Sequence, residues 1–284
     1  MSRIRFQSKL NGRRMLTGNW MRAIIITFLL LLLLGGVTLL EQSVRKVVNV
    51  PETVGSGVDT FVNTSPVSML ISGIFVVVLF LFTAPLKNGQ AEWYWKLVDR
   101  KETPIGDVFG WYGSFRLYGK SILLGLHILW RMVLWAIPVY AAPGALLTIY
   151  ALLLGGADTL LANLLLVLGL VLFVFASLVI VAVSLRYFPA RYLLVEDSKR
   201  TANDCVRTAA RYSKGFRWEI IKFQLSFLLW WLLCYLIFPA FYVMPYYNAS
   251  SAVFARHIIF TQRAKERQHS PAQSADTPSA PSEP

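Results

Sequence analysis

The chain is poor in charged residues and in cysteine. Charged residues make up 15% of its 284 residues, whereas a soluble domain carries about a quarter. The two cysteines, Cys205 in a polar segment and Cys234 in an apolar one, are expected at different depths, so no disulfide is predicted. The low charge argues against an ordinary soluble fold.

Acidic residues are scarcer than basic ones, since 15 Asp and Glu stand against 28 Lys and Arg, for a net charge of +13. In a soluble protein such an excess would indicate a nucleic-acid partner. In a membrane protein it is expected in the cytoplasmic loops, where cations meet anionic lipid headgroups. We therefore predict contact with the lipid bilayer, including anionic headgroups at its cytoplasmic face, and no binding of nucleic acid.

Motifs of catalysis and metal binding are missing from the sequence. The three histidines, His127, His257 and His269, lie in different segments, and none belongs to a His-Glu-x-x-His pair. There is no Gly-x-Ser-x-Gly elbow, no phosphate-binding Gly-Lys-Ser/Thr loop and no pair of carboxylates within an apolar segment. We predict that the protein is not an enzyme and that it holds no cofactor, no metal and no catalytic residue.

Long apolar runs are what the chain has instead, and hydrophobic residues make up 56% of it. About 20 apolar residues cross a hydrocarbon core of roughly 30 Å, and such a segment must be helical because lipid cannot bond its backbone. The sequence thus predicts an all-α, polytopic transmembrane helix bundle with about six spans. The predicted spans are residues 23–40, 67–84, 121–154, 160–185, 217–238 and 240–259.

The third run is too long for one straight span, and it carries an intramembrane charge. Pro138 and Pro143 are expected to kink or break it. His127 and Arg131 are four residues apart and share a helical face. A charge inside a span costs at least ~2.5 kcal/mol, so this pair is a candidate functional site. The alternative is that Arg131 satisfies carbonyls freed near Pro138 or reaches an interface, and we predict this structural role.

Two polar segments carry further patterns. Residues 85–120 contain aromatic side chains among charges, including Trp93, Trp95 and Trp111, which are expected at the level of the lipid headgroups. Residues 201–214 predict a short cytoplasmic amphipathic helix with Thr208 on its polar face. Its apolar face consists of small residues and is expected to dock closely on the bundle. That face comprises Ala202, Cys205, Val206, Ala209 and Ala210.

The distribution of cations predicts the orientation. With a cytoplasmic N-terminus and six spans, 25 of the 28 cations lie on the inner side, whereas five spans would move the last four outside. We predict a basic cytoplasmic segment at residues 1–22 and a transmembrane helical domain at residues 23–262. Residues 263–284, rich in Ser, Pro, Ala and Gln, are predicted to be a disordered cytoplasmic tail.

Several short segments spread along the chain form a recognisable set. They are RMLTGNW at 14–20, PLKNG at 85–89, GDVFG at 106–110, Leu129-Trp130 with Ile137-Pro138, YLLVED at 192–197, YSKG at 212–215, FQLSF at 223–227 with Trp230 or Trp231, and Pro245-Tyr246. Together they resemble a known family, the bacterial integral membrane proteins called "domain of unknown function 975". The chain departs from the family where Pro138-Val139 replaces a Pro-Gly after the third span.

The resemblance implies a multi-pass protein of the bacterial inner (cytoplasmic) membrane, and it transfers no catalytic residue because the family is uncharacterised. The leading hypothesis is a non-enzymatic scaffold, an assembly or export accessory, or a self-protection factor, with a membrane protein as a possible partner. The alternative is a transporter or a small-molecule or lipid-binding membrane protein that uses the broken third span.

Overall fold

A computed structural model describes residues 2–48, 66–101, 103–154, 159–234 and 238–269. Within these ranges the chain is helical and contains no β-strand, which confirms the all-α class. Nine α-helices lie in the described ranges: α1 (Ser2–Leu16), α2 (Trp20–Val47), α3 (Pro66–Val98), α4 (Phe115–Ile149), α5 (Leu160–Ser184), α6 (Ala190–Glu196), α7 (Ala202–Tyr212), α8 (Arg217–Leu233) and α9 (Ala240–His269).

Four stretches of helix are long and apolar enough to span a membrane. They are Trp20–Val47, Pro66–Val98, Phe115–Leu152 and Leu160–Glu196, the last including α5 and α6. They cover the first four predicted spans. Helices α8 and α9, where the fifth and sixth spans are predicted, do not meet the same criteria within the described part of the chain.

The prolines lie within continuous helices, so the break that the sequence allowed in the third span does not occur. Helix α3 continues through Pro85, and α4 is continuous through Pro138 and Pro143. Because Pro85 has no N–H, the carbonyl of Leu81 lacks its helical donor, and the hydroxyl of Tyr118 donates to that oxygen at 3.4 Å. A neighbouring side chain can thus donate to a backbone carbonyl whose helical donor is missing because of a proline.

The basic N-terminal segment is a packed helix, which the sequence reasoning did not predict. On α1, Arg5 pairs with Glu219 of α8 at 3.1 Å, and the ammonium of Lys9 donates to a backbone carbonyl of α8 at 3.1 Å. Gly12 faces Ser250 of α9 so closely that a methyl group would not fit. Gly18 then turns the chain into α2 with a φ of +86°, a conformation that favours glycine.

The tryptophans predicted at the headgroup level lie in the core instead. Trp93, Trp95 and Trp111 are buried, since residues 103–113 fold back against α3 and Trp95 lies 6.0 Å from the ring of Tyr192 on α6. The indole of Trp93 donates to the carbonyl of Thr103 at 3.1 Å, and that of Trp111 donates to Glu92 at 2.6 Å. Burial of the large rings outweighs an interfacial position once their N–H groups have acceptors.

Helix α7 begins at Thr201, whose side chain accepts a hydrogen bond from the N–H of Asp204. It packs against α4 and α6, and of the predicted small residues Ala202, Cys205, Val206 and Ala209 are buried and Ala210 is half-buried. Thr208, expected on a polar face, is only 7% exposed. The neighbouring helices therefore cover more of α7 than the hydrophobic pattern alone suggests.

Helix α9 extends to His269, past the predicted start of the tail at Arg263. Arg263 donates through both terminal nitrogens to the carboxylate of Glu196, each at 2.6 Å, which holds this last part of α9 against α6. The rest of the predicted tail and the predicted turn at residues 155–158 lie outside the described residues. Cys205 and Cys234 are both free thiols.

The largest buried side chains lie together at one end of the molecule. We call this part, made of α1, residues 85–101 and 103–113, and α6 to α9, the helical layer. The span bundle consists of α2, residues 66–84, α4 and α5, and most of its large apolar side chains are exposed. The core of the protein is therefore in the helical layer, and the span bundle projects from it.

Candidate functional site

A cavity of about 320 Å³ lies in the helical layer, where α3, α6, α8 and α9 meet the end of α5. Its lining is rich in hydroxyl, amide and cationic groups and includes no described carboxylate. The lining residues are Lys87, Gln90, Ala91, Tyr94, Ile128, Ser184, Leu185, Tyr187, Phe188, Arg191, Tyr192, Gln224, Tyr247, Asn248 and Ser251.

Two cations face this cavity, Lys87 from α3 and Arg191 from α6. Within the described residues neither takes part in an ion pair or a side-chain hydrogen bond, and the charge that acts on Lys87 is that of Arg191. Buried and half-buried charges are normally paired, because the loss of hydration is otherwise uncompensated. Two neighbouring like charges at an unpaired position therefore indicate a place for an anion.

The acidic residues that could neutralise these cations are engaged elsewhere. All nine carboxylates of the described chain form ion pairs with cations other than Lys87 and Arg191. Glu196, for example, is taken by Arg263 at 2.6 Å, and Glu219 by Arg5 at 3.1 Å. The positive charge of the cavity is thus a local excess, distinct from the paired charges around it.

Buried polar atoms at the cavity also lack hydrogen-bond partners. The Nε2 of Gln90 and the Nε of Arg191 are buried donors with no partner among the described residues. Gln224 and Tyr247 bond each other, with the amide nitrogen donating to the hydroxyl at 2.8 Å. Buried donors without acceptors are rare in proteins and call for an explanation such as a bound ion or water. A ligand that accepts hydrogen bonds would satisfy both.

Three of the sequence segments that carry the family resemblance contribute to the lining. Lys87 lies in the segment 85–89, Tyr192 in 192–197 and Gln224 in 223–227, and Arg191 directly precedes the second of them. The sequence reasoning counted Lys87 and Arg191 only as cations of inner loops. The signal that could have singled them out is their isolation, since each stands alone among apolar or small neighbours on a helix.

The predicted pair His127 and Arg131 lies outside this cavity. The guanidinium of Arg131 donates to the side-chain carbonyl of Asn203 on α7 at 2.9 Å and lies 6.0 Å from the ring centre of Tyr187. Arg131 therefore joins α4 to α7, whereas the prediction had it satisfying carbonyls near Pro138 or reaching an interface. His127 is half-buried on α4, and no described contact connects it with Arg131.

No group of three or more His, Cys, Asp or Glu side chains that could hold a metal ion occurs in the ranges that the structure covers. The cavity lining has no thiol, no imidazole and no carboxylate among its members. What the arrangement offers chemically is two positive charges, several hydroxyl and amide donors, and aromatic walls. Groups of these kinds suit an anionic or hydrogen-bond-accepting ligand.

The fold and the cavity define an all-helical protein with four potential membrane spans and a cationic site at one end of them. The chain belongs to the family described as "Protein of unknown function (DUF975)", which matches residues 1–262. No curated protein and no solved structure matches the chain.

Proposed function

We propose that this protein is a non-enzymatic membrane protein that binds an anionic group in the cavity between Lys87 and Arg191. The observation that carries the proposal is the pair of unpaired cations on a cavity whose lining includes no described acid. An arginine fork and an ammonium group recognise the oxygens of a phosphate or a carboxylate. The shared chemistry is therefore an oxyanion, borne either by a lipid headgroup or by a soluble molecule.

This cavity does not lie where the sequence predicts the site of a small-molecule or lipid-binding membrane protein. The sequence places such a site at a broken third span, but α4 is continuous and contributes only Ile128 to the cavity. The binding groups come from the helical layer. A role as a scaffold, an export accessory or a self-protection factor remains a prediction, and no contact among the described residues favours it over ligand binding.

We further propose that the N-terminus is cytoplasmic, that the helical layer lies on the cytoplasmic side of the span bundle, and that the membrane is the bacterial inner membrane. The support is the cation bias, with 25 of the 28 cations on one side. This count is the same for four spans and for six, because a crossing by α8 and α9 would add no cation to the outer side. The orientation therefore does not depend on the span number.

Ligand-dependent melting tests the proposal. The purified protein, in a zwitterionic detergent free of phosphate, is heated with inorganic phosphate, with a short-chain phosphatidylglycerol, or with the matching phosphatidylcholine. A ligand at 100 times its dissociation constant stabilises the folded state by about 2.7 kcal/mol. We expect a higher melting temperature with at least one of the two anions and none with phosphatidylcholine. Response to phosphate indicates a soluble ligand, and response to phosphatidylglycerol alone indicates a headgroup.

Variants connect the effect to the cavity. Lys87→Met and Arg191→Met should each abolish the anion response, and without anion Lys87→Met should melt no lower than the parent because it removes a repulsion. Lys46→Met, an exposed lysine on α2, is the matched control and should respond like the parent. If no anion raises the melting temperature, or if Lys87→Met responds fully, the cavity holds only water and the proposal is wrong.

A further inference from the structure

Helices α8 and α9 form an antiparallel pair. The end of α8 and the start of α9 lie together, away from the charged residues of the first turns of α8. Phe216 lies by His257, and Phe223 stacks on Phe254 with ring centres 4.6 Å apart. Trp230 then lies 6.2 Å from Tyr242. Residue numbers rise along α8 as they fall along α9. We call residues 228–234 and 238–242 the hairpin tip.

The tip reaches only the first part of α2. Tyr242 stacks on Trp20, the first residue of α2, with ring centres 5.0 Å apart, and Phe241 lies 6.2 Å from Phe28. At 1.5 Å per residue, Phe28 is about 12 Å along α2 from Trp20. The deepest described contact of the tip with α2 is therefore well short of the far end of this helix.

A polar network marks that far end. Arg45 of α2 donates to Ser68 of α3 at 2.6 Å, and Ser72 donates to Glu41 at 2.8 Å. Arg45 is about 25 Å beyond Phe28 along the helix. Since a hydrocarbon core is roughly 30 Å thick, a hairpin that ends near Phe28 cannot cross a membrane whose far surface lies at this network.

The course of α9 agrees with a shallow position. Tyr242 contacts Trp20, yet Val253, eleven residues further along α9, lines the same groove as Arg22 at the start of α2. Eleven residues of helix cover about 16 Å. Both ends of this segment therefore have neighbours near the start of α2, which agrees with an α9 that does not run along the length of α2.

The hairpin tip is apolar and exposed. Leu229, Leu232 and Phe238 are 72%, 71% and 87% exposed, whereas the first turns of α8 carry Glu219 and Lys222. The neighbouring surface of α2, which includes Phe28, is also apolar and exposed. A patch of this kind, continuous with a membrane span, is a surface for lipid.

We propose that the α8–α9 hairpin enters the leaflet in which α2 begins and turns back without crossing, with its tip covered by acyl chains of that leaflet. The protein then has four spans and a hairpin embedded from one side. The six-span prediction and this proposal both place the chain end on the side of the N-terminus. Labelling of the C-terminal tail therefore cannot distinguish the two topologies, but labelling at position 238 can.

The side of the membrane from which single cysteines are labelled tests whether the hairpin crosses the membrane. In the full-length protein with Cys205→Ser and Cys234→Ser, single cysteines are placed by Phe238→Cys, Val47→Cys and Lys214→Cys. Intact cells and inside-out vesicles are treated with a membrane-impermeant maleimide. Val47 and Lys214 are exposed and lie at opposite ends of the molecule, so they calibrate the two sides. Labelling of Phe238→Cys from the side that labels Val47→Cys would overturn the proposal.

Spin labelling tests the contact with lipid. The Phe238→Cys protein is labelled with a nitroxide in detergent and then reconstituted into liposomes. The collision rates of the nitroxide with oxygen and with a water-soluble nickel chelate are compared. We expect oxygen to dominate at position 238 and the nickel chelate at position 214. Equal access of the chelate at both positions would place the tip in water and overturn the lipid-covered position. Neither readout depends on the cavity, so the anion-binding proposal stands or falls separately.

Discussion

The helical layer and the span bundle place their apolar side chains in opposite ways. In the layer, Trp93, Leu193 and Phe223 are fully buried, as in a soluble core. In the bundle, Val171 and Phe175 of α5 are exposed, as is expected of apolar side chains that face lipid. Substitutions that alter packing should therefore act strongly in the layer and weakly in the bundle, even within one helix.

The glycines of α3 give the largest expected contrast. Gly89 lies in the layer, where an added methyl would collide with the carbonyl oxygen of Val108, a backbone atom that cannot move away easily. Gly73 lies in the bundle with nothing near the same position. We expect Gly89→Ala to destabilise the protein by about 3 kcal/mol, the upper range for overpacking. Melting in detergent measures this.

Gly73→Ala is the matched control on the same helix. It should be neutral or stabilise by about 0.5–1 kcal/mol, since alanine restricts the unfolded chain more than glycine does. Equal melting of the two variants would show that the segment containing Val108 is not packed on α3, and the contrast between the regions would break down.

The bundle was readable from sequence because its signal is local. Runs such as residues 67–84 are long enough to span lipid by themselves, and the first four predicted spans correspond to long apolar helices. The layer depends on contacts between distant segments: α1 docks on α8 and α9, and residues 103–113 cover α3. No local periodicity reveals such contacts, so the tryptophans of residues 85–120 were misplaced at the headgroups.

Close packing of α7 gives the next largest effect. Ala209 is fully buried, so Ala209→Trp should destabilise the layer by about 2 kcal/mol. Arg207, which is exposed on the same helix, is the control, and Arg207→Trp should melt within about 0.5 kcal/mol of the parent. Thr208 cannot serve as the control because it is buried as well. Equal loss in both variants would mean that α7 is sensitive to any large side chain.

Arg131 joins the two regions and gives a smaller effect. Its bond to Asn203 is a single hydrogen bond between half-buried groups, worth about 1 kcal/mol. Arg131→Leu should lower stability by about this amount, whereas Arg131→Gln retains a donor and should lose less. Melting is measured beside a cellular phenotype. A Gln variant that melts like the parent yet loses the phenotype would show that the charge itself has a binding role.

The candidate site shows why charge counts alone do not find a binding residue. Lys87 and Arg191 contribute to the inner-side total like any other cation. What distinguishes them is that the described acids are paired with other cations, as Glu219 is with Arg5 and Glu196 with Arg263. Pairing between segments far apart in sequence decides which charge is left over, and that is a property of the tertiary structure.

The effect with the narrowest pH range concerns Cys205, a fully buried thiol of the layer. Burial, aided by the charge of Asp204, raises the pKa of this thiol from 9.0 to about 11. The folded state therefore keeps a proton that the unfolded state releases near pH 9. The contribution to stability is complete below pH 9 and is lost as the pH rises toward 11.

Cys205→Ala removes this titration while leaving the buried tyrosines in place. Near pH 7 the two proteins should differ only by a constant packing loss. Between pH 9 and 10.5 the parent should lose stability more steeply than the variant, as measured by denaturant unfolding at each pH. Parallel curves over this range would mean that the thiol titrates normally in the folded protein. In that case water reaches Cys205, and the layer is less tightly closed than its buried side chains indicate.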